Sequence, residues 1–163
     1  MIPSTWPEII VDLYKRLAEH DRRFENRERT GTIHEVDAAK GLARVKIGET
    51  KDGKPVLSPW VPWKEQAMGA IKTHFPPAVG EQVKLHSESG DLTDAVIDTS
   101  LPSNANKRPH DKAGEAMIRI GGTHLHYTDK MIELRADHIR FKAGRIDHDQ
   151  DGGGGGTTGV ALA

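Results

Sequence analysis

The chain has 163 residues, 29% of them charged, yet a formal net charge of only −1, so it has neither the basic excess of a nucleic-acid binder nor a single-sign tail. It has no cysteine, which excludes a disulfide frame, a thiolate nucleophile and a Cys zinc site. Only 36% of residues are hydrophobic and 5% aromatic, thin for a self-sufficient core, so part of the burial is expected to come from partner chains.

The opening, MIPSTWPEII, lacks the charged start and apolar run of a signal peptide, and no stretch approaches the roughly 18 apolar residues of a membrane span. Residues 5–28 predict a helix. Thr5 followed by Glu8 reads as a capping box, and Pro7 sits in the first turn, where its missing N–H costs little. Ile10, Leu17 and Phe24 recur at heptad spacing with Leu13 between the first two, while Lys15, Arg16, Asp21, Arg22 and Arg23 fill the other faces. This narrow apolar seam fits a short coiled coil or a helix laid on a partner; the alternative is packing on its own domain. Residues 1–28 are therefore read as a hub or partner contact.

Residues 29–101 predict short strands joined by turns. Thr32–Val36 leads into a turn at Asp37–Gly41, and Leu42–Ile47 alternates clearly, Val45 and Ile47 against Arg44 and Lys46. A turn at Lys51–Lys54 follows, then an edge candidate at Leu57–Trp63 broken by Pro59 and Pro62. Pro76, Pro77 and Gly80 mark a tight turn before Gln82–His86; Ser89-Gly90-Asp91 reads as a hairpin loop, and Leu92–Ile97 as the closing strand. The set predicts a small antiparallel barrel of oligonucleotide/oligosaccharide-binding (OB) type.

Residues 102–113 form a polar, proline-containing linker. From residue 114 the chain becomes a series of short strands: Ala116–Ile120, Thr123–Tyr127, Met131–Ala136, His138–Ala143 and Arg145–Asp149, at roughly eight-residue spacing. Each offers two or three apolar residues, and no helix is available to cover them. One such chain cannot bury enough surface to offset its chain entropy, whereas three copies wound around a common axis can. Residues 114–163 are thus read as short strands of three intertwined chains, ending in the five glycines of 152–156, which are either a flexible tail or a place where three backbones converge.

Chemistry is sparse. The sequence contains no P-loop, no G-x-S-x-G and no H-E-x-x-H, and no recognisable carboxylate pair, so no enzyme is expected. His124 and His126 lie two apart on a strand and point the same way; they are either metal ligands or surface histidines beside the inward Leu125 and Tyr127. Trp60, Trp63 and Phe75 sit in a Pro-rich, weakly basic stretch, better suited to packing or docking than to base stacking. The rival reading is a monomeric OB-type module binding single-stranded nucleic acid or another ligand.

The order of short motifs adds a resemblance. Thr30-Gly31-Thr32-Ile33, Ala43-Arg44-Val45, Leu57-Ser58-Pro59-Trp60, Pro77-Ala78-Val79-Gly80-Glu81-Gln82-Val83, Ser89-Gly90-Asp91 and Gly122-Thr123 leading into His124-Leu125-His126-Tyr127 together resemble the baseplate assembly protein V family. These are the central tail spikes of Mu-like contractile phages and R-type pyocins. The resemblance covers roughly residues 28–160 and implies an OB barrel on a trimeric β-helix. It implies a homotrimer assembled in the host cytoplasm and carried on the virion tail baseplate. There it docks on the hub protein below the tail tube and pierces the target cell's outer membrane when the sheath contracts, with no nucleic-acid sequence recognition. It also implies a metal at the apex: many members carry His-x-His before a Gly/Thr-rich end and bind iron on the threefold axis. Here His148 matches the first histidine, and Gln150 stands at the second position, both on the Ile146 face by alternation. The expected cofactor is one iron or zinc ion held by three copies of His148, with Gln150 or water completing the shell; the alternative is a metal-free packed tip.

Overall fold

The computed structural model describes residues 5–145. The chain divides into two compact units, residues 1–108 and 109–163.

The first unit opens with helix α1 (Trp6–Glu25), shorter than the predicted 5–28. The Thr5 N–H donates to the Glu8 carboxylate at 3.2 Å, the backbone half of the predicted capping box. No residue of α1 is buried. Its polar flank is laced by Arg16–Asp12 at 2.8 Å and by Arg22 and Arg23 on Glu19, which hold that carboxyl down to about 2.

The barrel is built from β1 (Glu28–Asp37), β2 (Leu42–Glu49), β3 (Pro55–Leu57), β4 (Val61–Pro62), β5 (Gln82–His86) and β6 (Val96–Leu101). The sheet runs β3-β2-β1-β5-β6, all antiparallel, with β4 on the other part of β2. It closes on itself: Trp63, just past β4, bridges Ile97 in β6, and the Lys64 N–H donates to the Ile97 carbonyl at 2.9 Å. The ring β1-β2-β4-β6-β5 therefore encloses a core to which every strand of it contributes. That core is Ile33, Ala43, Val45, Val61, Val83, Leu85 and Ile97, with Ala95 from the turn before β6. Strict alternation in β2 and β5 (Ala43/Val45, Val83/Leu85 inward) is what aims these residues inside. The predicted OB-type barrel is present.

Two details differ from the sequence expectation. The single candidate strand at Leu57–Trp63 is two short pieces, because buried Ser58 turns the chain inward: its hydroxyl accepts from the Val45 N–H at 3.0 Å and donates to the Pro59 carbonyl at 2.7 Å. The closing strand begins at Val96, not Leu92; Leu92–Asp94 is a 3-10 turn. Asp91 caps it by accepting from the Thr93 N–H at 3.0 Å, and Asp94 accepts from the Ser89 N–H at 3.1 Å and lies against the buried Ser87 hydroxyl. Local side-chain bonds of this kind compete with the strand ladder and win here.

The second unit holds one three-stranded antiparallel sheet, β7 (Ala116–Ile120), β8 (Thr123–Tyr127) and β9 (Ile132–Arg135), in that order. The predicted strand at His138–Ala143 is absent: these residues have no regular structure. Its apolar alternation is real, but a strand needs a neighbour for its backbone groups, and no described residue of this unit supplies one. The predicted strand at Arg145–Asp149, the candidate metal residues His148 and Gln150, and the glycines of 152–156 fall at or beyond the edge of the described residues. An intertwined β-helix involves further chains and is taken up below as a proposal.

Candidate functional site

The sheet β7–β9 has two faces of opposite character, and the register assigns them. Ala116 pairs with Tyr127 and Tyr127 with Ile132; Ile118 pairs with Leu125 and Leu125 with Leu134. One face is therefore apolar. The other carries Met117, His126 and Glu133 in one row and Arg119, His124 and Arg135 in the next. The apolar face is uncovered in a single chain: Ile132 is 71% exposed and Ile120, at its edge, 80% exposed. No described residue from 109 to 145 is buried. A contiguous apolar sheet face of this size marks an interaction surface.

Helix α1 repeats the pattern. Ile10, Leu13, Leu17 and Phe24 are all more than half exposed, and Trp6 and Tyr14 with them. The apolar seam read from the heptad spacing is present as geometry, and it is not spent on the helix's own domain.

The polar face of the sheet gathers the histidines. The pair His124 and His126 does share a face, as alternation requires, but the two rings have different partners. His124 Nε2 lies 3.6 Å from the Glu133 carboxylate in β9. His126 Nε2 hydrogen-bonds the Glu115 carboxylate at 2.7 Å, and its ring lies 5.3 Å, centroid to centroid, from that of His110. His110 and Glu115 come from the segment that enters β7. Sequence reading missed both, because that segment has no periodicity to place a side chain against a strand. The signal available was chemical: two metal-ligating residue types five apart in the polar run that leads into β7.

The barrel aromatics have structural partners. Trp63 packs half-buried against the core, and its Nε1–H donates to Glu65 at 2.8 Å. Glu65, only 10% exposed at its side chain, also accepts from the Thr73 hydroxyl at 2.9 Å and from the Phe75 N–H at 3.0 Å. Burial pushes its carboxyl up, but the donors from Trp63, Phe75 and Thr73 outweigh that and hold it below the ordinary range. This one carboxylate thus ties the 64–75 loop to the barrel. Trp60 is partly exposed, with the Arg44 guanidinium 5.9 Å from its ring; Phe75 is exposed. None of these arrangements assembles a nucleophile, a base and an oxyanion donor at one place.

Comparison with known proteins agrees with the barrel. Residues 29–101 match the type VI secretion system/phage-baseplate injector OB domain. Over 125 residues the chain is 29% identical to the spike protein of Escherichia phage P2; the alignment covers 76% of this chain and 56% of that protein. The chain thus spans about half the length of the curated relative it matches. The closed barrel and both matches agree that residues 29–101 are similar to a phage-baseplate injector OB domain and that the chain is similar to a phage spike protein.

Proposed function

We propose that this chain is the central spike of a contractile tail baseplate, a structural homotrimer and not an enzyme. The observation that carries this reading is the uncovered apolar face of β7–β9, on a sheet with no buried residue of its own. Three copies that bring these faces to a common axis would bury them, pair the open edges of β7 and β9, and leave the charged face to solvent. Residues 138–143, with Ile139 and Phe141 exposed, would find in neighbouring chains the partners they lack in one. The similarity to a phage spike protein and to an injector OB domain supplies the setting. The barrel docks on the hub below the tail tube, and the C-terminal part leads into the target cell's outer membrane on sheath contraction. No helix among the described residues is long and apolar enough to span a membrane, which suits a spike that crosses by force.

Light scattering tests the trimer. Three times the 17.9 kDa chain mass is expected, and a monomer at micromolar concentration overturns the reading. The apex metal at His148 and Gln150 is a separate part of the proposal. Iron and zinc analysis of wild type and His148→Ala checks it: the variant should hold about one ion fewer per three chains than the wild type, and equal metal content overturns the apex site.

A further inference from the structure

The cluster His110, Glu115 and His126 belongs to neither the barrel nor the apolar sheet face. One ligand-capable atom from each lies within 4.8 Å of the others. All three residues are half-buried in a unit where no described residue is fully buried. The side chains of Glu115 and His126 are only 18% and 16% exposed. The residue types matter as much as the spacing. Two imidazoles and one carboxylate form a mixed nitrogen–oxygen set that suits first-row divalent metals and not the all-oxygen shells of calcium or magnesium. The same three-ligand composition holds zinc with a fourth position left to water.

We propose that His110, Glu115 and His126 form a binding site for a divalent transition metal, zinc in the first instance. It sits within each chain and is distinct from the apex expectation at His148. In the metal-free arrangement a proton lies in the 2.7 Å His126–Glu115 bond. Loading requires His126 in the tautomer protonated at Nδ1, which frees the Nε2 lone pair; the ion then takes the place of that proton between ring and carboxylate. His110 Nδ1 accepts from the Lys112 N–H at 3.2 Å, which seats the ring beside the cluster. The other Glu115 oxygen is 3.8 Å from the Lys112 ammonium, far enough to leave the carboxylate available. The consequence is mechanical. His110 and Glu115 flank the entry to β7, and His126 sits on β8, so one ion cross-links the linker to the sheet at the point where load would enter it.

The test is zinc binding to the full chain by calorimetry, with cobalt substitution as the spectroscopic probe. One zinc per chain is expected in His148→Ala, where any apex ion is removed. In that background, His110→Ala and Glu115→Gln should each weaken binding at least about tenfold and abolish the visible absorption of low-coordinate cobalt. His124→Ala, a histidine on the same face outside the cluster, should change neither. His110→Ala alters a residue outside every strand, so it separates a lost ligand from a lost fold; circular dichroism confirms the sheet in each variant. The proposal is overturned if His148→Ala binds no zinc, or if His110→Ala binds it as tightly as its parent.

Discussion

At the scale of single residues, two short motifs acquire a physical reason only in the folded chain. Gly31, in the Thr-Gly-Thr motif of β1, lies directly over β2: a Cβ there would overlap the Val45 side chain and come within 2.7 Å of the Lys46 carbonyl. Gly90, in Ser-Gly-Asp, has φ +74° and faces the Arg23 carbonyl at the end of α1, so it is needed both for its backbone angle and for its missing side chain. Gly31→Ala should therefore destabilise the barrel by about 1–3 kcal/mol through overpacking. Chemical denaturation should show a lower midpoint with an unchanged slope. Glu65 makes a pH prediction. Its folded carboxyl titrates below the ordinary 4.5, so its contribution is present above that value and is lost as pH falls through the lowered one. Glu65→Gln should lower the melting temperature at neutral pH, and the gap to wild type should narrow as the solution is acidified below 4.5. A gap independent of pH would mean that the carboxylate charge is not what holds the loop. The sequence alone marked neither Glu65 nor the pair His110 and Glu115, because their partners lie across turns and linkers that no periodicity encodes; His126 is eleven residues from Glu115.

At the scale of elements, alternation was legible wherever a strand has a neighbour in its own chain. β2, β5 and β8 follow the alternation read from the sequence. Where reading failed, a competing interaction is identifiable. At Leu92–Asp94 the carboxylates of Asp91 and Asp94 satisfy nearby donors and tighten the chain into a 3-10 turn. At 138–143 the alternation promises a strand whose partner is not among the described residues of this unit. The two faces of β7–β9 give a paired prediction. Leu134→Asp, on the apolar face, should disperse the proposed trimer, because burying an unpaired carboxylate at its axis is strongly unfavourable. Arg119→Asp, on the opposite face, should leave the mass unchanged. Sedimentation velocity of the two variants side by side decides this: equal dispersal, or none, would place the interface elsewhere. The seam of α1 makes an independent case, since Leu13 and Leu17 are exposed on a helix with no buried residue. Leu13→Asp combined with Leu17→Asp should weaken contact with whatever covers the helix while leaving the barrel's unfolding midpoint unchanged.

At the scale of the whole chain, the two units differ in what they need in order to be stable. The barrel closes its sheet and fills it with side chains from five strands, so its folding free energy is largely its own. Among the described residues, the sheet of the second unit has two open edges and an uncovered apolar face, and a three-stranded sheet without a covered face is marginal in water. In the proposed trimer its stability is tied to association, so that unfolding and dissociation of this unit are one equilibrium. Hydrogen exchange followed across a dilution series separates the two behaviours. Amides of β1, β2 and β5 should keep their protection at every concentration, because opening them requires opening the barrel. Amides of β7, β8 and β9 should lose protection together as the trimer population falls, with a concentration dependence matching the mass measured by light scattering. Zinc at saturating concentration should slow that loss around His126, because the ion joins the linker to β8 within one chain whatever the number of copies. If the β7–β9 amides were as protected in isolated monomers as those of the barrel, the sheet would be self-sufficient. The inference from an uncovered face to an obligate trimer would then fail.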